Sequence, residues 1–213
     1  MYANKNQEKM IVRLLSGYSS IFFLLIVCIL FTIIHEQHAM GQKTTISSSS
    51  NATKLPITSN FLIYQNPAYG IKIQYPSDWT VSQTGLRDYT NIIAFYSPLQ
   101  NLTAVPEQLL LSMTHYSQSV TLNDYSELVN ATLKQPGVQI VEAKQITLTS
   151  GNPAHSVVFI PPPSNVPFKP EIMLVWTVKG NNIYTLSFNG DAAKYSLYLP
   201  IIQKMISSFE ITK

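Results

Sequence analysis

The sequence has little cysteine and little charge, and each shortage excludes a class of protein. Its single cysteine, Cys28, lies within an apolar run, so neither an intramolecular disulfide nor a cysteine metal cluster can form. Only 12% of the residues are charged, and from Ser59 to Lys213 nine Lys/Arg balance nine Asp/Glu. That region lacks the basic field on which nucleic-acid binding depends, so we exclude nucleic acid as a partner.

One long apolar run is present near the start of the sequence. IFFLLIVCILFTII, Ile21–Ile34, carries no charge, and with the preceding SGYSS the uncharged stretch is about 19 residues. An α-helix needs roughly 20 residues to cross a bilayer. We therefore predict a membrane helix over residues 17–34, after a short basic cytoplasmic segment at residues 1–16. Because the cations precede the helix, the positive-inside rule places everything after His35 outside the membrane.

Two fates of this helix fit the sequence. It is either a signal anchor that stays in the cell membrane or a signal peptide cleaved near Gly41, where Ala39-Met40-Gly41 has an A-x-A-like spacing. The first gives a single-pass membrane protein with its C-terminal domain outside, and the second gives a secreted protein. Residues 35–59 follow as a flexible tether, because a Ser/Thr-rich segment buries too little apolar area to offset its ordering entropy.

Three sequons are present, at Asn51, Asn101 and Asn130. Each has the N-x-[S/T] pattern of a glycosylation acceptor, a pattern that is also common by chance. An exported location makes the three asparagines candidate glycosylation sites.

From residue 60 to residue 213, short apolar runs alternate with turn residues, which predicts one folded domain. IKIQY shows the strand pattern most clearly, with Ile71, Ile73 and Tyr75 on one face. Further strands are predicted in FLIYQN, NIIAFYS, QLLLSMTHY, VQIVEAKQITL, AHSVVFI, EIMLVWTVK and NIYTLSF.

Two helices are predicted among these strands. TLNDYSELVNATLKQPG has a capping-box-like start at Thr121 and Asp124, and Pro136-Gly137 ends it. A second helix is predicted in DAAKYSLYLPIIQKMISSFEI. Pro200 is expected to start or kink that helix, because proline in a helix interior costs about 3 kcal/mol. Antiparallel strands with helices outside predict an α+β fold.

Several pieces of this region, in their order along the chain, resemble the PsbP-like family. They are YQNPAYGIKIQYPSDWTV, TLNDYSELVNATLK, GNPAHSVVF, VKGNNIYTLSF and YLPIIQKMISSF. The chain particularly resembles small exported archaeal members with a membrane segment, a tether and one such domain. The resemblance implies a central antiparallel β-sheet sandwiched by helices, an α/β/α sandwich. It does not carry the photosystem role, which depends on N-terminal extensions that residues 1–59 do not resemble.

The aromatic–Pro–x–x–Trp element of the family falls at Tyr75 and Trp79, shortly after Tyr69. These rings either cap one end of the core or form a stacking site for a ligand. We favour the first interpretation, in which each ring buries on the order of 150–250 Å² and marks the fold.

No catalytic pattern is found in the sequence, and we expect a protein that is not an enzyme. It has neither a G-x-S-x-G elbow nor a phosphate-cradling glycine loop. His115 and His155, both in predicted strands, are the candidate metal ligands, and the resemblance implies calcium or manganese in some relatives. Their spacing matches no metal motif, and ordinary strand histidines are the alternative. We therefore expect no cofactor.

Two functions fit these observations. The first is a membrane-tethered accessory or scaffold protein that binds another exported or membrane protein, with PPPSNVPFKP and YSPLQNLTAVP as candidate contact loops. The second is a module at the cell surface that binds a small ligand or a metal ion, with some of the twelve tyrosines and two tryptophans lining a cleft. An exposed apolar patch would favour the first, and a concave aromatic-lined pocket the second.

Overall fold

The computed structural model describes residues 60–83, 90–99, 106–163 and 168–212. The predicted membrane helix and tether lie outside these residues. The strands, in chain order, are β1 (Phe61–Asn66), β2 (Ile71–Pro76), β3 (Thr80–Ser82), β4 (Thr90–Tyr96), β5 (Gln108–His115), β6 (Gln139–Thr147), β7 (Pro153–Ile160), β8 (Pro170–Lys179), β9 (Asn182–Asp191) and β10 (Glu210–Ile211). The helices are α1 (Leu122–Leu133) and α2 (Tyr195–Ser207). Neither helix of this described part is long and apolar enough to cross a membrane.

All strand pairs are antiparallel, and they form two sheets. The larger has the order β3-β4-β5-β9-β8-β7-β6, and the smaller has the order β1-β2-β10. This arrangement confirms the predicted α+β fold, and each of the eight predicted strand segments contains a strand. The sequence did not predict β3 and β10, because strands of three and two residues are too short to show a period of two.

Both faces of the larger sheet carry buried apolar side chains: Phe159, Leu174 and Trp176 lie on one face, and the main core cluster lies on the other. Phe95, Leu111 and Leu186 occupy alternating positions of neighbouring strands, point to the face of the core cluster and are fully buried. Ile73 of β2 and Ile202 of α2 belong to the same buried cluster. Full burial of one such side chain contributes about 1.5–3 kcal/mol, so this cluster holds α2 and the smaller sheet against the larger sheet.

Helix α1 begins with the capping box that the sequence predicted. The Asp124 N–H donates to Thr121 Oγ1 at 3.1 Å, and the Thr121 N–H donates to Asp124 Oδ2 at 3.1 Å. In the same helix, Ser126 Oγ accepts a hydrogen bond of 2.9 Å from Trp176 Nε1 of β8. The rings of Tyr125 and Trp176 meet edge to face, with centroids 6.3 Å apart. These contacts fasten the first half of α1 to β8.

Pro200 lies inside α2 and does not start it. The helix begins at Tyr195, and the Lys194 carbonyl accepts from the N–H groups of Leu197 and Tyr198. Pro200 has no N–H to donate to the carbonyl of Ser196 four residues earlier. Because Ser196 is exposed, water can hydrogen-bond to that carbonyl instead.

Candidate functional site

Each sheet has a long strand with a free side. Among the described strands, β1 pairs only with β2, and β6 pairs only with β7. Every residue of β6 is exposed except the half-buried Ile146. The free side of such a strand presents backbone N–H and C=O groups with which another chain can pair. β1 and β6 are therefore candidate sites for contact with a protein.

Both free strands also expose two consecutive apolar side chains. On β1, Leu62 is 46% exposed and Ile63 is 57% exposed, and on β6 the values are 47% for Ile140 and 52% for Val141. A single exposed apolar residue is ordinary, whereas adjacent ones beside an unpaired backbone combine two features of a contact surface.

A cleft of about 400 Å³ opens between two hairpin turns. The β1–β2 turn contributes Ala68 and Tyr69, the β8–β9 turn contributes residues 179–182, and Met113 and Tyr184 complete the lining. Gly180 adopts a φ of 60°, a left-handed conformation that favours glycine, so this residue allows the β8–β9 turn.

Hydrogen bonds hold the polar groups of the cleft in place. The Tyr184 hydroxyl donates to the Tyr69 carbonyl at 3.3 Å, and Lys179 Nζ donates to the Ile211 carbonyl at 3.2 Å. Burial raises the pKa of Tyr184, although a hydrogen bond from the Asn182 side chain acts in the opposite direction. Tyr184 is therefore a neutral donor at physiological pH. The described lining contains one cation and no carboxylate.

The two candidate metal ligands do not come together. His115 ends β5, is exposed, and has its Nδ1 2.8 Å from Asn182 Oδ1. His155 lies on β7, with its ring centroid 5.8 Å from that of Trp176. The strand registers place the two histidines on opposite faces of the larger sheet. Over the described ranges, no group of three His, Cys, Asp or Glu side chains could hold a metal ion.

A buried carboxyl that the sequence analysis did not single out lies beside β9. Glu107 is 3% exposed, and its Oε2 accepts a hydrogen bond of 3.0 Å from the Asp191 N–H. Burial raises the pKa of Glu107 from 4.5 to about 7, although the Asp191 hydrogen bond and the Lys194 charge act to lower it. Glu107 and Asp191 are 84 residues apart, so no local pattern in the sequence signals this contact.

Tyr69 and the two aromatic residues of the family element, Tyr75 and Trp79, occupy different environments. Trp79 is buried, with its ring centroid 6.3 Å from that of Tyr198. Tyr75 is half-buried, and its ring lies 5.1 Å from Phe95. Tyr69 is also half-buried, but it lines the cleft. Tyr75 and Trp79 thus pack as core residues do, whereas Tyr69 is placed where a ligand in the cleft would contact it.

Comparison with known proteins identifies the family. The PsbP-like protein family profile matches residues 19–211 of the chain. The chain belongs to the PsbP-like family. No curated protein matches its sequence.

The solved structures that resemble this PsbP-like chain include CyanoP and LpqN. The cyanobacterial PsbP, CyanoP, from Synechocystis sp. PCC 6803 is 14% identical, with a TM-score of 0.50 over 77% of this chain and 98% of CyanoP. LpqN, involved in cell envelope biogenesis of Mycobacterium tuberculosis, is 12% identical, with a TM-score of 0.57 over 73% of this chain and 92% of LpqN. At these identities the likeness shows the fold alone.

The remaining predicted sites of the PsbP-like chain are described only in part. Asn130 is exposed on α1, whereas Asn51 and Asn101 lie outside the described residues. The candidate contact loops each include residues outside the described ranges, at 100–105 and at 164–167.

Proposed function

We propose that this PsbP-like protein is a small exported, archaeal-type member of its family that acts as a non-catalytic accessory protein or scaffold. In this proposal the apolar run Ile21–Ile34 tethers it to the cell membrane, and the domain binds another exported or membrane protein. The observation that carries the proposal is the free side of β1, where Leu62 and Ile63 are exposed next to each other.

The β1 edge offers a partner two kinds of interaction. Its backbone can add hydrogen bonds to a strand of the partner, and the two apolar side chains can be buried against it. Because Leu62 and Ile63 are each about half exposed, covering both would contribute roughly 2–3 kcal/mol. This is a modest contribution, which suits an accessory protein held near its partner by a common membrane. The fold shared with LpqN, a protein involved in cell envelope biogenesis, agrees with a role at the cell surface.

Cross-linked affinity capture of the full-length protein from its native membranes tests this proposal. The wild type is compared with Ile63→Lys, which places a charge in the apolar pair, and with Ser150→Lys, which adds the same charge at an exposed turn residue. We expect mass spectrometry to find one membrane or surface protein with the wild type and Ser150→Lys, and much less of it with Ile63→Lys. Recovery of the protein alone, or equal recovery with all three, would contradict the proposal.

The cleft favours a second candidate function, the binding of a small molecule. Tyr69 offers an aromatic face, Lys179 a positive charge, and Asn181 and Asn182 hydrogen-bonding amides. This lining suits a small organic anion better than calcium or manganese, which prefer carboxylate oxygens. Calorimetric titration with calcium, manganese, zinc and cell-extract metabolites shows which kind of ligand binds. Heat with the metabolites that Lys179→Gln abolishes would support an anion site, and no heat with any of them would exclude both kinds of ligand.

A further inference from the structure

We propose that β6 joins a second copy of this chain edge to edge, in an antiparallel pair whose two-fold axis passes through Ala143. The strand is nine residues long, it pairs on one side with β7, and all of its residues except Ile146 are exposed. Such a pair would continue the seven-stranded sheet of one copy into that of the other. This interface goes beyond the accessory role and does not rest on it.

The charges of β6 select the position of the axis. In a two-fold antiparallel pair, residues at equal distances on either side of the axis face each other across the two copies. The strand carries two charges, Glu142 and Lys144, which lie on the same face of the sheet with Nζ and Oε1 2.9 Å apart. Both side chains are about half exposed, at 49% for Glu142 and 47% for Lys144, so they are free to reach a second chain.

Other axis positions give poorer pairs. An axis through Glu142 or through Lys144 sets two like charges opposite each other, which destabilises a strand pair. An axis through Gln145 sets Lys144 opposite the apolar Ile146. An axis through Ala143 sets Glu142 of each copy opposite Lys144 of the other copy. The two pairs together form a ring of four side chains with alternating charge.

The β-bulge in β6 agrees with this register. The pairing with β7 shifts between Ile140 and Glu142, so Val141 is an extra residue in the strand. Because of that shift, Ile140 lies on the same face as Gln145, since both face odd-numbered residues of β7. Ile140 and Val141 would then face Gln145 of the second copy, at each end of the paired segment. The pair thus covers the two apolar residues that β6 exposes.

Disulfide trapping of the full-length protein in membranes tests the axis directly. Cys28 is first replaced by alanine, and then a single cysteine is introduced as Ala143→Cys or as Thr147→Cys. Residues directly opposite in an antiparallel pair have Cα atoms about 4.5–5.5 Å apart, within the range for a disulfide. Thr147, four residues from the axis, would lie about 27 Å from its copy. We expect mild oxidation to give a covalent dimer with Ala143→Cys and a monomer with Thr147→Cys.

Charge reversal then tests the contact between the two copies. In the Ala143→Cys protein, Glu142→Lys alone or Lys144→Glu alone sets like charges opposite each other at two places. We expect each to weaken the dimer on the order of tenfold. The double variant restores opposite charges and should restore the cross-link. A monomer with Ala143→Cys, equal cross-linking of Thr147→Cys, or no rescue by the double variant would overturn the proposal.

Discussion

The buried carboxyl of Glu107 should make the stability of the domain fall as the pH rises. Its pKa is raised from 4.5 to about 7 in the folded protein, so the folded state binds this proton more tightly than the unfolded chain does. The contribution of this proton to the free energy of unfolding is therefore fully present below pH 4.5, and it is lost as the pH rises through 7. At about 1.4 kcal/mol per unit of pKa shift, the free energy of unfolding at pH 8 is lower by about 3 kcal/mol than it is with the proton bound.

The substitution Glu107→Gln isolates this effect. Glutamine keeps the shape of the side chain and an oxygen that can accept from the Asp191 N–H, but it carries no charge. We expect wild type and variant to have similar stability near pH 4.5 and the variant to be more stable at pH 8, by up to about 3 kcal/mol. For a protein of this size that difference raises the melting temperature by roughly 6–12 °C.

Thermal unfolding of the full-length protein, followed by tryptophan fluorescence, measures the difference. Both tryptophans of the chain, Trp79 and Trp176, are buried in the domain, so their emission reports on its unfolding. Glu127→Gln, which removes a charge from the exposed side of α1, is the matched control for the loss of one carboxyl group. If Glu107→Gln has the same pH profile as the wild type, or loses stability relative to it above pH 7, our account of this carboxyl is wrong.

Two further predictions concern packing and hydrogen bonding. Gly190→Ala should destabilise the domain by about 1–3 kcal/mol, because the added Cβ would lie 2.8 Å from Glu107 Oε2. The Cβ of Gly180→Ala would meet no atom within 4 Å, so this substitution should lower the free energy of unfolding by only about 1 kcal/mol, through its backbone conformation. Ser126→Ala should lose about 1–3 kcal/mol because it leaves the buried Trp176 N–H without its acceptor. Thermal unfolding checks both, and equal losses for the two glycines, or no loss for Ser126→Ala, would contradict them.

The parts of the fold that were predictable are those with local signals. The capping box at Thr121 and Asp124 lies within four residues, and the alternation in β2 lies within six, so both are visible in the sequence. The same alternation does not tell whether a strand is central or at an edge. The sequence predicts strands at both β6 and β9, yet β6 is exposed and β9 is mostly buried. The difference arises because β6 lies at the edge of the larger sheet, whereas β9 lies between β5 and β8.

The candidate site was less predictable for the same reason. One side of β6 is free because no described strand follows it in the sheet order. Glu107 is buried because β5, which it precedes, lies beside β9. The cleft joins the turn after β1 to the turn after β8, which are more than a hundred residues apart. His115 and His155 illustrate the opposite case, since both lie in strands as predicted but the registers place them on opposite faces.

The smaller sheet can form only in a certain order during synthesis, because β10 lies far along the chain from β1 and β2. β2 pairs with β1 immediately before it and with β10, where Lys72 meets Glu210, 138 residues later. A growing chain can close the β1–β2 hairpin early, but the other side of β2 stays open until residues 210 and 211 have been made. Contacts of such long sequence separation slow folding. During synthesis, this side of β2 is an open strand edge until β10 has been made, and an open edge can pair with another chain.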